Sequence, residues 1–416
     1  MRMKVSDYIA RKLVDEGISD VFMVTGGGAM HLDDGLGHEP GLHCTFNHHE
    51  QACAIAAECY ARIHNKIAAV CVTTGPGGTN AITGVVGGWL DSIPMLILSG
   101  QVRYDTTARS TGLGIRALGD QEFEITKAID CMTKYCEMVI DPMRIRFCLE
   151  KALYLAQTGR PGPCWLDIPL NVQGAYVETE ELLGFDKNDY EAGGTGWSVH
   201  GSGCDGCGLC AGKLIQGKPA MIPEDEAGKG EKRELLPPSV SLDLAREIVK
   251  KVREAKRPVI NAGNGIRIGK AFDVFQRVVE MLGIPVVTGW NSLDCMYDSH
   301  PLYVGRAGHM GDRPGNFAVQ NCDLLLSLGS RLSIRQVGYN YPTWAREAYV
   351  IYNDIDAEEL KKPTVHVDMP VHADVKDLLE KMEMVLEVEA VSADGGPKDK
   401  EAVDWWISRC QQWKEK

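Results

Sequence analysis

The chain has 416 residues, 44% hydrophobic and 24% charged, with a formal net charge of −13. That length calls for two to three domains of ordinary soluble composition. The acidic balance argues against nucleic acid or an anionic membrane surface as partner.

The opening stretch, MRMKVSDYIARKLVDEG, has the pattern of an amphipathic helix with acids inside it, not of a signal peptide. Strand-sized apolar runs such as PMLILSG and CDLLLSLG fall short of a membrane span. Fourteen cysteines scattered along so large a chain suggest reduced thiols and a cytoplasmic location. Up to about residue 178, short apolar strands alternate with amphipathic helices. DVFMVTGGG, AAVCVTTGPGG, PMLILSGQ and GPCWLDIP read as strands ending in glycine, proline or a polar turn. Helices are expected over 5–16, 50–63, 80–89 and 143–158. This alternation implies a parallel sheet covered on both faces, with ligands bound beyond the carboxyl ends of the strands.

Residues 179–238 are dense in Gly, Pro and charge and read as a linker with a cysteine-bearing insertion. A second alternating unit is expected over 239–395. Its strands are RPVINAGNG, IPVVTGW, CDLLLSLGSRL, AYVIYNDID and VHVDMPVHAD, with helices over 241–255, 271–282 and 375–387. Residues 396–416 read as the start of a further linker, carrying one amphipathic helix, EAVDWWISRCQQWKEK. The fold class is α/β: two doubly wound parallel-sheet domains joined by an irregular linker.

Glu50 stands out in this pattern. It opens a helix whose next residues, Ala52, Cys53, Ala54, Ile55, Ala56 and Ala57, read as buried. A carboxylate against such a wall is a helix-start charge, half of an ion pair, or a group kept dry because its proton is used. Cys204, Cys207 and Cys210 form a C-x-x-C-x-x-C with His200 upstream. That spacing suits zinc or part of an iron–sulfur cluster, but only three of the usual four ligands are evident, so free thiols are the competing reading.

Several motifs occur together: HHEQACAIAAECYAR, VFMVTGGG, CVTTGPGGTN, DSIPMLILSGQV and GRPGPCWLDIPLNVQ. Jointly they resemble the pyrimidine-binding domain of thiamine diphosphate enzymes of the acetolactate synthase group, and the likeness continues through the second unit. The resemblance implies that Glu50 hydrogen-bonds a ring nitrogen of the aminopyrimidine, so that its exocyclic nitrogen can remove the proton from carbon 2 of the thiazolium. It places Gln101 at the reacting carbons. Thr25, Gly26, Gly27, Thr74, Gly77, Thr79 and Asn80 would lie against the cofactor, and Gln121 and Lys134 near substrate. Helix capping competes as a role for Thr79 and Asn80, and a solvated surface for Lys134.

The second unit is similar to the family's middle domain, which binds FAD, ADP or nothing. Gly263, Gly265, Thr288, Gly311, Gly329, Arg331 and Asp354 are its candidate nucleotide contacts. Two departures stand against FAD: Gly308-His309-Met310-Gly311 reverses the usual Met-His order, and Ser333 and Ile334 replace two acids.

No Gly-Asp-Gly occurs in the sequence, although the family holds Mg²⁺ and the diphosphate through that motif in a third domain. The expectation is therefore a truncated chain or one subunit of a split enzyme. It would be inactive without a diphosphate-binding partner and would assemble as a homo-oligomer. The implied reaction is decarboxylation and carboligation of a 2-oxo acid. Two alternatives remain: transfer of a two-carbon unit from pyruvate to a polar, sugar-like acceptor, and a non-catalytic regulatory subunit. The polar acceptor is suggested by Gly119-Asp120, which replace an Ala-Phe pair in the acceptor-side segment of the family.

Overall fold

The computed structural model describes residues 1–198, 239–390 and 396–415. It divides into two compact units, Met1–Leu235 and Leu236–Lys416. Each is built on a six-stranded sheet with every pairing parallel. Cys204, Cys207 and Cys210 lie outside the described residues. Among those described, no group of His, Cys, Asp or Glu could hold a metal, and no helix is long and apolar enough to cross a membrane.

In the first unit, helix α1 (Val5–Asp15) precedes strand β1 (Asp20–Met23) and helix α2 (Met30–His38). Strand β2 (His43–Phe46), helix α3 (Glu50–His64), strand β3 (Ala68–Val72), helix α4 (Pro76–Leu90) and strand β4 (Met95–Gln101) follow. Strand β5 (Tyr135–Met138), helix α5 (Ile145–Gln157) and strand β6 (Pro163–Pro169) complete the unit's framework. The spatial order is β2-β1-β3-β4-β6-β5. The chain reverses direction across the sheet between β1 and β3, which opens a crevice at their carboxyl ends. Strands β3, β4 and β6 are buried along their whole length, as an apolar run covered by helices on both faces must be.

Helix α4 begins four residues earlier than expected, because Pro76 takes a first-turn position where its missing N–H costs nothing. It lies close against α3: a Cβ on Gly84 would come within 2.5 Å of the Ala54 Cβ. The expected apolar wall along α3 is only half buried. Cys53, Ala54 and Ala57 face the interior, whereas Ala52 and Ile55 are exposed together with Cys59 and Ile63. A helical period of 3.6 residues puts those four on the outer stripe, and unbroken small apolar residues hid that period. Residues 184–198, expected to begin a linker, belong to the first unit. Gly184–Phe185 pairs with Trp197–Ser198, and the Trp197 ring stacks on Phe147 at 3.9 Å.

In the second unit, helix α6 (Leu242–Glu254) leads into strand β7 (Pro258–Ala262), helix α7 (Phe272–Leu282) and strands β8 (Val286–Thr288) and β9 (Tyr303–Arg306). Helix α8 (Arg313–Asn321), strands β10 (Leu324–Leu328), β11 (Tyr349–Asp354) and β12 (Met369–His372), and helix α9 (Val375–Ala390) complete it. The order β9-β8-β7-β10-β11-β12 puts the switch point between β7 and β10. Helix α10 (Lys400–Lys414) is part of this unit's core. Trp406 is buried there, and its indole N–H donates to Pro258 O at 3.1 Å.

Candidate active site

The glycine turns after β1 and β3 and the carboxyl end of β4 converge at the crevice of the first unit. A Cβ on Gly100 would lie 2.1 Å from Gly28 O, so the end of β4 touches the turn after β1 backbone to backbone. Gln173 secures the contact by donating to Gly28 O at 2.8 Å and Ile168 O at 2.6 Å. Thr74, 4% exposed, donates to Gly100 O at 3.1 Å; its hydroxyl holds the framework and does not face outward. Thr25 and Gly27 are exposed on the turn after β1. Gly26 N donates to Asp33 Oδ2 at 3.1 Å. Burial pushes the Asp33 carboxyl up to about 6, and its other oxygen has no partner among the described residues.

Glu50 occupies the first position of α3, after His49, whose Nδ1 accepts from Gln51 N at 3.1 Å. Its Oε2 accepts from Asn80 Nδ2 at 3.0 Å, which ties the start of α3 to α4. Among the described residues Oε1 accepts no hydrogen bond, and it lies 3.7 Å from where a Cβ on Gly77 would stand. The carboxylate is half-buried, not sealed: Oε2 is held, Oε1 takes no hydrogen bond from a described residue, and Gly77 beside it packs on Thr73, whose Cγ2 a Cβ there would meet at 2.8 Å. The Thr79 hydroxyl bonds back to Pro76 O at 3.2 Å, which leaves Asn80 as the residue that reaches Glu50. A ring bearing an N–H donor would give Oε1 the partner that no described residue supplies.

Gln101 ends β4 with its amide turned into the protein. It is 1% exposed; Nε2 donates to Phe123 O at 2.9 Å and Asp167 Oδ2 at 3.0 Å, and Oε1 accepts from Val102 N at 3.0 Å. Asp167 is completely buried in β6 and also accepts from Ser99 Oγ at 2.6 Å. Burial pushes its carboxyl up to about 7 against the opposing pull of these two hydrogen bonds. The sequence reading missed this group; an acid inside the otherwise apolar strand PCWLDIP is the signal that could have found it.

Segment 112–123 lies over the crevice. Gly75 has φ +54°, and a Cβ there would be 2.0 Å from Gln121 O, so glycine is required for both conformation and space. Glu122 organises the segment by accepting from Ala108 N at 2.6 Å, Leu118 N at 2.7 Å and Gly119 N at 3.1 Å. The Gln121 side chain is exposed. Lys134 is not brought to this group. It lies at the amino end of β5, where Nζ donates to Thr158 O at 2.5 Å and Arg160 O at 2.7 Å.

In the second unit the candidate nucleotide contacts gather at the carboxyl ends of the strands, and several of their amides are engaged. Gly263 N donates to Leu328 O at 2.9 Å and Gly265 N to Gly329 O at 2.8 Å, closing the switch-point crevice by turn-on-turn contact. Gly289 N, Gly308 N and Gly311 N bond to Ser292 Oγ, Asn316 Oδ1 and Gly308 O. Thr288 is buried against the Tyr303 hydroxyl at 3.2 Å. Asp354 accepts from Asp356 N at 2.9 Å and from the Tyr352 hydroxyl at 3.3 Å. Arg331 is half-buried. Among the described residues the amides of Gly263, Gly265 and Gly311 are thus taken up within the unit.

Residues 3–123 match the family description "Thiamine pyrophosphate enzyme, N-terminal TPP binding domain", and residues 245–382 match "Thiamine pyrophosphate enzyme, central domain". The chain is 31% identical over 412 residues to a probable acetolactate synthase large subunit of Methanococcus aeolicus, covering 99% of this chain and 60% of that protein. It is 30% identical over 382 residues to the acetolactate synthase large subunit of Lactococcus lactis, covering 91% and 56%. To the isozyme 3 large subunit of Escherichia coli it is 28% identical over 414 residues, covering 98% and 61%. It thus spans about three-fifths of the length of these relatives. The crevice that gathers Glu50, Asn80 and Gly77, on a chain matched along both units, shows that this protein belongs to the thiamine pyrophosphate enzyme family, carrying its N-terminal and central domains.

Proposed function

We propose that this chain supplies the pyrimidine half of a thiamine diphosphate site for acetolactate synthase-like decarboxylation and carboligation of a 2-oxo acid such as pyruvate. The observation that carries the reading is the split state of Glu50, with Oε2 held by Asn80 and Oε1 given no hydrogen bond by a described residue. When bound, thiamine diphosphate supplies an acidic ring carbon that attacks the 2-oxo group and takes up the electrons released as carbon dioxide leaves. Glu50 Oε1 shares a proton with the pyrimidine ring nitrogen, and Asn80 keeps the carboxylate from rotating away. Segment 112–123 screens the ring from water.

Mg²⁺ and the diphosphate are, in this reading, held by a domain or subunit outside these two units. The exposed stripe of Ile55 and Ile63 on α3 and Leu90 on α4 supports association with a further chain or copy. Glu50 and Asn80 favour catalysis over a purely regulatory subunit, which would need neither. A second reading, with a polar acceptor such as a keto-sugar, is favoured by exposed Asp120 on the segment above the crevice.

The test is exchange of the carbon 2 proton of thiamine diphosphate, followed by NMR with a diphosphate-binding partner and Mg²⁺ present. Exchange accelerated by the wild-type chain and not by Glu50→Gln supports the reading. Equal exchange by both defeats it. Product analysis with pyruvate, alone and with a keto-sugar, separates the two acceptors.

A further inference from the structure

The structure buries one side-chain chain that the cofactor chemistry does not require. Trp165 Nε1 donates to Ser99 Oγ at 2.8 Å, Ser99 donates to Asp167 Oδ1 at 2.6 Å, and Gln101 donates to Asp167 Oδ2 at 3.0 Å. All four residues are at most 1% exposed, and Asp167 makes no ion pair with any described cation. Gln101 spends its second N–H on Phe123 O at 2.9 Å, the last residue of the segment that covers the crevice. Among the described residues β4 reaches that segment through this amide, and beside it a Cβ on Gly119 would meet Val102 and Thr106 O.

We propose that Asp167 is a positioning residue. Through Gln101 it fixes segment 112–123 over the crevice, so that the acceptor side of the site is latched from inside the sheet. This rests on reading the crevice as the thiamine site, but the latch itself does not depend on turnover. An ionised Asp167 accepts a charge-assisted hydrogen bond from Gln101 and orients the amide so that its other N–H reaches Phe123 O. A neutral Asp167 accepts a weaker bond, and the segment detaches more often. The charged groups acting on Asp167 are Glu124, which holds its proton on, and Arg109, which opposes it; these two pair with each other at 3.4 Å. Burial raises the carboxyl to about 7, so the latch changes strength within the range in which the chain can be handled.

Arg116 lies exposed in the middle of the segment and makes trypsin a reporter of detachment. The full chain is digested at pH 8 and pH 6, and cleavage after Arg116 is followed by mass spectrometry. A free peptide of residues 110–124 in the same digest corrects for the protease. Corrected cleavage of wild type should rise about five-fold from pH 8 to pH 6, the factor expected when a charge-assisted bond becomes a neutral one.

Asp167→Asn, which copies the neutral acid, should be cleaved at the fast rate at both pH values. Gln101→Met, which keeps the volume and removes both donors, should match it. A purely structural role for Asp167 would leave the pH profile of wild type flat. A flat wild-type profile, or either folded variant cleaved at the wild-type pH 8 rate, overturns the proposal. If Asp167→Asn fails to fold by near-UV circular dichroism, Gln101→Met and the wild-type profile decide. Failed carbon 2 proton exchange with a working latch would remove the thiamine reading alone; the reverse result would remove the latch alone.

Discussion

Glu50 illustrates how a single side chain acquires chemistry from its neighbours. The carboxylate is held at Oε2 by Asn80 and free at Oε1, so substitutions should separate holding from proton sharing. Glu50→Gln preserves shape and the chance of a bond to Asn80, and should lower carbon 2 proton exchange by roughly a hundred- to ten-thousand-fold with the circular dichroism spectrum unchanged. Asn80→Ala should reduce exchange less, because the carboxylate remains and only its orientation is lost. An Asn80→Ala loss equal to that of Glu50→Gln would mean that Asn80 itself touches the cofactor. Two buried acids set a second residue-scale expectation. Asp33 and Asp167 are raised from 3.8 to about 6 and about 7. Between pH 4 and their raised values the folded state binds more protons than the unfolded one, so the stability each adds is complete near pH 4 and lost as pH rises to about 7. Melting temperatures across that window should fall with rising pH in wild type and fall less in Asp33→Asn and Asp167→Asn. A steeper slope in either variant would contradict the assignment.

At the scale of elements, the contact between α3 and α4 depends on small residues. A Cβ on Gly84 would stand 2.5 Å from Ala54 Cβ and 2.7 Å from Ile55 N, and a helix backbone cannot give way as a flexible side chain can. Gly84→Val should cost roughly 1–3 kcal/mol by chemical denaturation and move Asn80 relative to Glu50, so the activity loss should exceed that expected from stability alone. In the second unit α10 is held by buried Trp406, whose N–H bonds Pro258 O at the start of β7. Trp406→Ala should destabilise that unit by about 3–5 kcal/mol, read as a drop in the denaturant midpoint. A change under 1 kcal/mol would show α10 to be a loose appendage. The helix boundaries follow the same local logic. Ser241 caps α6 by accepting from Leu244 N at 3.1 Å, and Asn65 ends α3 in the left-handed conformation.

For the whole molecule, the two units invite different tests. The first leaves one carboxylate oxygen of Glu50 without a hydrogen bond from a described residue, while the second packs its switch-point turns together through Gly263 and Gly265, bonded to Leu328 and Gly329. FAD and ADP should therefore leave the thermal transition within about 1 °C of the free chain, and the purified protein should be colourless. A shift of several degrees with either nucleotide would show that the turns open to admit a diphosphate. The exposed α3 stripe makes the first unit's outer face the place to look for association by light scattering, with Ile55→Lys and Ile63→Lys as the disrupting changes.

Much of this was legible in the sequence because strands and helices carry their own periods and stops. Apolar runs ending in glycine announced both parallel sheets, and the family resemblance of the motifs around Glu50 and Asn80 singled out those two residues. Burial along α3 was not legible, since alanine and cysteine suit either face and only contact with α4 selects one. The partners of Gln101 and the acidity of Asp167 were likewise hidden. Their hydrogen bonds join residues 22 and 66 positions apart, and burial at that range is a property of the assembled sheet. Glycine turns read as phosphate cradles in the second unit for a related reason. Sequence shows that backbone can come close there, but only the tertiary structure decides whether a ligand or another turn fills the gap.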